Sequence, residues 1–181
     1  MSTSTDPHLG AIRLAWWRER LEELDEGGKA PVEPRLQKAA SELLPREVTG
    51  AELSGLEDAW LPLLEPFPWA EAQANGLTLR GRILFGIGAR LLGRDAGEGE
   101  AEGSFWSLTD GADHCSDPES REVLQLAARA QLTECHGRSS RALRPLTVLA
   151  ALAAADLVRE RSGLGRLSAA VRHRLTGTLP R

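Results

Sequence analysis

Residues 6–28 read Asp-Pro-His-Leu-Gly-Ala-Ile-Arg-Leu-Ala-Trp-Trp-Arg-Glu-Arg-Leu-Glu-Glu-Leu-Asp-Glu-Gly-Gly. Asp6 offers a carboxylate to the unpaired amides of a helix start, and Pro7 loses no hydrogen bond at the first helical position. Leu14, Trp17, Leu21 and Leu24 recur at spacings of three and four, which is one face of a helix, and Gly27-Gly28 stops it. The same pattern continues outward. Pro34 opens a shorter helix through Leu36, Ala40 and Leu43 that Pro45 ends. Thr49 and Glu52 form a capping box before the apolar stripe Leu53, Leu56, Trp60 and Leu63, with a kink at Pro62. The Pro66–Trp69 segment is a rigid corner into a helical stretch reaching Leu92, with Gly76 as a break. Gly81, Gly86 and Gly88 lie among Ile83, Leu84, Phe85 and Ile87. Each glycine costs about 1 kcal/mol against alanine inside a helix, so the trio predicts a buried helix closely approached by another backbone.

Residues 94–103 form a polar joint, followed by a helix carrying Phe105, Trp106, Leu108 and Ala112. Asp117-Pro118 repeats the cap signal ahead of Val123, Leu126, Ala127 and Ala130, and the stretch 137–140 closes that helix. Pro145 starts the most apolar helix, 146–158. The stretch 163–165 separates it from a last helix carrying Leu167, Val171 and Leu175. The pattern predicts an all-α, antiparallel helical bundle. With 181 residues, 41% hydrophobic and 27% charged, the expectation is a single domain over 1–181, with 1–6 as a flexible start. No run of about 18 apolar residues is present, and the N-terminus has no signal-peptide pattern, so a cytoplasmic protein is expected. Cys115 and Cys135 suit a reducing compartment as free thiols.

The net charge of −4 hides a polarity. Residues 1–70 carry thirteen acids against seven bases, whereas 136–181 carry nine arginines against Asp156 and Glu160. A basic end of this kind can meet anionic headgroups or an acidic partner, which makes a position peripheral to a membrane an expectation beside the solvated-surface reading. No aromatic side chain is interleaved with those arginines to stack on bases, so nucleic acid is not expected.

The string Ile12-Arg13-Leu14-Ala15-Trp16-Trp17-Arg18-Glu19-Arg20-Leu21, running to Asp25, Gly27, Pro31 and Pro34, resembles the squalene/phytoene synthase family, in which a Leu-x-x-Trp-Arg helix precedes glycine and prolines. Leu84–Gly93 is similar to the glycine-bearing helix ahead of that family's second metal-binding helix. Leu108-Thr109-Asp110 is similar to the Leu-Thr-Asn that opens the second motif. The resemblance implies a truncated isoprenoid-synthase-like fold. It assigns Arg13, Trp17, Arg18 and Phe85 to substrate binding and Asp110 and Asp113 to a remnant metal site. A short, degenerate branch of the family that includes a mitochondrial complex I assembly factor has a similar Trp-Trp-Arg helix.

Enzymes of the family join two prenyl diphosphates head to head, with Mg2+ bridging the diphosphates to two aspartate-rich helices. Carboxylates four apart share a helix face and can hold hard cations together. In this chain Asp110 stands at the Asn position, Asp113 at the Arg position, and His114 where the key Asp belongs. The first aspartate-rich helix would lie upstream of the Trp-Arg helix, which begins close to the start of this chain, so that element is expected to be absent. Glu98, Glu100 and Glu102 are the nearby acids that could compensate. His114-Cys115 and Cys135-His136 supply a zinc-like inventory, but adjacent helical residues point roughly 100° apart, which makes tetrahedral convergence awkward. There is no phosphate loop, no HExxH and no nucleophile elbow, and Ser104 and Ser107 have no identifiable orienting acid near His114.

The expected function is therefore that of a catalytically silent family member acting as an interaction, assembly or prenyl-lipid-binding protein, with no catalytic residue and no cofactor. A fold lacking one wall should expose apolar surface, so a homo-oligomer or a protein partner is expected. The alternative is a Mg2+-dependent head-to-head prenyltransferase of isoprenoid biosynthesis that takes the absent aspartate-rich helix from a partner chain.

Overall fold

The computed structural model describes residues 6–27, 30–158 and 163–180. The expected flexible start therefore falls almost wholly outside the described residues, as does Gly28 of the first stop signal. Among the described residues the regular structure is all helical and contains no strand. It divides into two compact units, the first reaching to Pro66 and the second beginning at Phe67.

The first unit is built on α1 (Pro7–Asp25), which opens as its sequence dictates: the Asp6 carboxylate accepts from the His8 amide at 2.9 Å. Leu24 is buried with Leu36 and Ala39, and Trp17, Leu21, Leu43 and Leu53 pack around them. Leu36 comes from α2 (Pro34–Lys38), capped by the Glu33 side chain. The helix beyond Lys38 widens to a π turn and then tightens at Pro45 to a 3-10 turn ending at Arg46. Thr49 and Glu52 form the expected capping box for α3 (Gly50–Ser54). The apolar stripe is not one helix: it is broken at Gly55 into α3 and α4 (Leu56–Trp60), and Pro62 lies in a closing 3-10 turn, Leu61–Leu64. A Cβ on Gly50 would strike the Leu21 carbonyl, so this glycine is what lets α3 lie against α1. Asp25, the last residue of α1, caps the neighbouring helix by accepting from the Gly50 and Ala51 amides at 2.6 and 2.9 Å.

The second unit begins at the Phe67-Pro68 corner, whose peptide bond is cis, and continues into α5 (Glu71–Leu91). Gly76 does not break this helix; it is buried inside it. Against α5 lies α6 (Glu100–His114), so the polar joint is shorter than the sequence suggested, and Glu100, Glu102 and Gly103 are already helical. The close approach predicted from the glycines is real at Gly81, where an added Cβ would collide with the Gly103 carbonyl of α6. Gly86 faces the Ala96 carbonyl, whereas Gly88 makes room for the Leu146 side chain. Helix α7 (Pro118–Glu134) starts on Asp117, which accepts from the Ser120 amide at 2.8 Å and from its hydroxyl at 2.6 Å. Those two bonds hold the Asp117 carboxyl below the usual carboxylate range.

Helix α8 (Arg144–Val158) buries Ala150, Ala151, Ala153, Ala154 and Ala155 and packs on α6 and on α9 (Gly163–Thr176). Gly163 to Gly165 belong to the first turn of α9 and do not separate the two helices; the residues between them, 159–162, lie outside those described. Leu167, Val171 and Leu175 of α9 are exposed, and its buried side chains are Ala169 and His173. Among the described residues no helix is long and apolar enough to cross a membrane.

Candidate functional site

Three of the residues singled out by sequence lie in the first unit. Trp17 is half-buried against the Leu24–Leu36 cluster and meets Trp16 edge-on, with ring centroids 5.2 Å apart. Arg18 pairs with Glu57 of α4 at 3.3 Å, which ties α1 to the following helices. Arg13 is exposed. All three positions follow from the helical period of α1, and for Trp17 and Arg18 the neighbours supply structural work: core packing and an ion pair across helices.

The other three lie in the second unit, and there α5 and α6 assemble a continuous cluster. Phe85 is 1% exposed and stacks in tilted fashion on Trp106 at 5.7 Å. The Arg80 guanidinium lies 5.2 Å from the centre of the Trp106 ring, within cation-π range. Its Nη2 then donates to Asp110 Oδ2 at 2.7 Å, in an ion pair whose side chains are 13% and 28% exposed. His114 closes the row. Its Nδ1 lies 2.8 Å from the Asp110 carbonyl oxygen and 3.5 Å from Oδ1; because a carbonyl can only accept, Nδ1 carries the hydrogen. Asp113, one turn on, is exposed.

These residues do not fit a Mg2+ site. The ion would have to share Asp110 with a guanidinium already at hydrogen-bond distance, placing two and one positive charges on a single carboxylate. Among the described residues no group of three or more histidines, cysteines, aspartates or glutamates converges to hold a metal ion. Of the nearby acids, Glu98 pairs with Arg94 and Glu100 with Arg82, at 2.8 and 3.0 Å. The zinc-like pairs also diverge, since Cys115 and Cys135 are buried whereas His114 and His136 are exposed. Burial, reinforced by Glu102 and Glu134, pushes the Cys135 thiol up to about 12, so it remains a neutral thiol and not a nucleophile.

Sequence reasoning missed Arg80 and Trp106 as partners. The signal was faint: Arg80 adjoins Gly81, where the helices touch, and reaches Asp110 across that seam, as Arg82 on the other side of Gly81 reaches Glu100. It also missed a second polar centre. His173 of α9 is fully buried, with Nε2 2.9 Å from Thr147 Oγ1 of α8 and Nδ1 3.1 Å from the Thr178 carbonyl. Nδ1 therefore donates to the Thr178 carbonyl, and Nε2 pairs with the Thr147 hydroxyl, which also lies 3.1 Å from the Leu143 carbonyl. Arg144 Nη1 donates to the Arg174 and Leu175 carbonyls at 2.9 and 3.0 Å, capping the C-terminal end of α9 with a cation. Beside it opens a hollow of about 710 Å3 lined by Arg141, Ala142, Arg144, Pro145, Arg174 and Leu175. None of the candidate substrate or metal residues lines it, whereas three arginines of the basic C-terminal stretch do. No family model, no curated protein and no solved structure matches the chain.

Proposed function

We propose that this chain is a catalytically silent relative of the squalene/phytoene synthases that works by binding, as an interaction or assembly protein whose basic C-terminal end meets anionic lipid or a partner. The observation that carries this reading is the ion pair between Arg80 and Asp110. The carboxylate that the Leu108-Thr109-Asp110 string would offer to Mg2+ is held by a guanidinium that is itself seated against Trp106. Prenyl diphosphate ionisation needs a divalent cation on the leaving group, and a carboxylate already neutralised by arginine would hold that cation weakly. Phe85, sealed beneath Trp106, offers no surface to a prenyl tail.

The test is incubation of the full chain with farnesyl or geranylgeranyl diphosphate and Mg2+, with product analysis and Mg2+ titration by calorimetry. The expected result is no turnover and no saturable Mg2+ binding, in the parent and in Arg80→Ala alike. Turnover that disappears in Asp110→Asn/Asp113→Asn would overturn the reading and establish the prenyltransferase alternative.

A further inference from the structure

Helix α9 carries its large aliphatic side chains on the side away from the core. Leu164, Leu167, Val171 and Leu175 are 81%, 61%, 51% and 73% exposed, whereas the buried positions are Ala169 and His173. At 3.6 residues per turn the four aliphatics fall within an arc of roughly 80°, lying roughly opposite that buried pair. An amphipathic surface helix normally does the reverse and spends its leucines on its own core. Here the inner face is served instead by small residues and by the buried hydrogen bond between Thr147 and His173, and the leucines are left over. Four such side chains in a row make an apolar strip on the order of 400 Å2, the size at which exposed patches mark contact sites.

The surroundings of the strip say what covers it. Exposed Arg174 flanks one edge and exposed Arg172 lies beyond the other, and the described helix contains no aspartate or glutamate. Arg174 and Leu175 also line the hollow shared with Arg141, Arg144 and Pro145, so the end of the strip runs directly into a cationic recess. A second copy of the chain meeting this face isologously would bring arginine against arginine, with no acid on the described residues of the helix to offset them. An anionic bilayer supplies both complements at once: acyl chains for the leucines and phosphates for the guanidinium groups. The helix is 14 residues long, about 21 Å at 1.5 Å per residue, too short to span and suited to lying in the plane of the headgroups.

We propose that the outward face of α9, with the arginine-lined hollow beside it, is a docking surface for an anionic lipid bilayer, the leucines entering the acyl boundary and Arg141, Arg172 and Arg174 meeting headgroup phosphates. This rests on the binding half of the proposed function and is independent of the state of Asp110.

The test is flotation of the full chain with vesicles of phosphatidylglycerol and phosphatidylcholine, against vesicles of phosphatidylcholine alone. The chain is expected to float with the anionic vesicles and to lose about tenfold or more of its partitioning when phosphatidylglycerol is omitted or the salt is raised to about 1 M. Leu167→Ser/Val171→Ser, at solvent-facing positions, is expected to reduce partitioning about tenfold with unchanged circular dichroism, and Arg141→Ala/Arg172→Ala to erase the anionic preference. Added inorganic phosphate at millimolar levels is expected to leave flotation intact; full displacement by it would show a free-phosphate pocket and overturn the membrane assignment. Three further results would also overturn it: no flotation of the parent chain with anionic vesicles, equal flotation of the serine variant, or self-association that the serine variant abolishes in place of vesicle binding. Absent flotation together with absent prenyl turnover removes this docking surface and leaves the catalytically silent reading standing. Flotation together with turnover does the opposite.

Discussion

Replacing Gly81 by alanine sets two effects of known sign against each other. Inside a helix alanine is favoured over glycine by about 1 kcal/mol, so propensity alone predicts a more stable protein. The structure predicts the opposite. An added Cβ would fall on the carbonyl of Gly103 and 2.7 Å from the amide nitrogen of Ser104, both backbone atoms of α6 that no side-chain rotation can clear. Ordinary contact needs about 3.4 Å or more, so α6 must retreat by roughly 1 Å along its best-packed seam. Overpacking of this kind costs about 1–3 kcal/mol, and a rigid opponent puts Gly81 at the upper end, near 3. The net expectation is a loss of about 2 kcal/mol, or a fall in Tm of about 8 °C for a unit of this size. Urea and thermal unfolding followed by far-UV circular dichroism measure it, with Gly163→Ala as the control, since nothing lies within 4 Å of a Cβ there. The same retreat lengthens the bond from Arg80 to Asp110, because Arg80 is the adjacent residue. A Gly81→Ala protein as stable as the parent, or more so, would refute the close-approach argument and with it the geometry assigned to the Arg80–Asp110 cluster.

Two further outcomes follow from buried polar groups. Thr147→Val is nearly isosteric but leaves His173 Nε2 buried without its partner, so it is expected to cost about 1–3 kcal/mol in the same unfolding assay. Thr147→Ser should recover most of that loss, and a valine variant equal to the parent would remove the hydrogen bond from the account. For Cys135 the thiol is pushed from 9.0 up to about 12 by burial and by Glu102 and Glu134. Below 9.0 the thiol is protonated in both states and contributes no pH dependence. Between 9.0 and about 12 the unfolded chain loses a proton that the folded chain keeps, so this group's contribution makes stability fall as pH rises across that window. Alkylation at about pH 8 should label Cys135 only after unfolding, and labelling of the native protein at the rate of a free thiol would contradict its burial.

What could be read from the sequence was local. Asp6-Pro7, Thr49 with Glu52, and Asp117-Pro118 announce helix starts because each cap is a contact between residues at most three apart, and all three form as expected. The glycine trio announced a close approach because glycine has no other reason to sit among Ile83, Leu84 and Phe85, and Gly81 against Gly103 bears this out. Gly76 misled for the same local reason: a break was inferred from propensity, whereas packing against neighbouring helices holds α5 continuous across it. What the sequence could not rank was which of two amphipathic solutions α9 would take. Its period places Leu164, Leu167, Val171 and Leu175 on one face, but periodicity cannot say whether that face meets the core. Tertiary structure decided it, because α8 presents small alanines and Thr147, a surface that fits Ala169 and satisfies His173. The partner of Asp110 was decided in the same way. A carboxylate at that position reads from sequence as a cation ligand, and only the contact of α5 with α6 at Gly81 and Gly103 brings Arg80 within 2.7 Å of it.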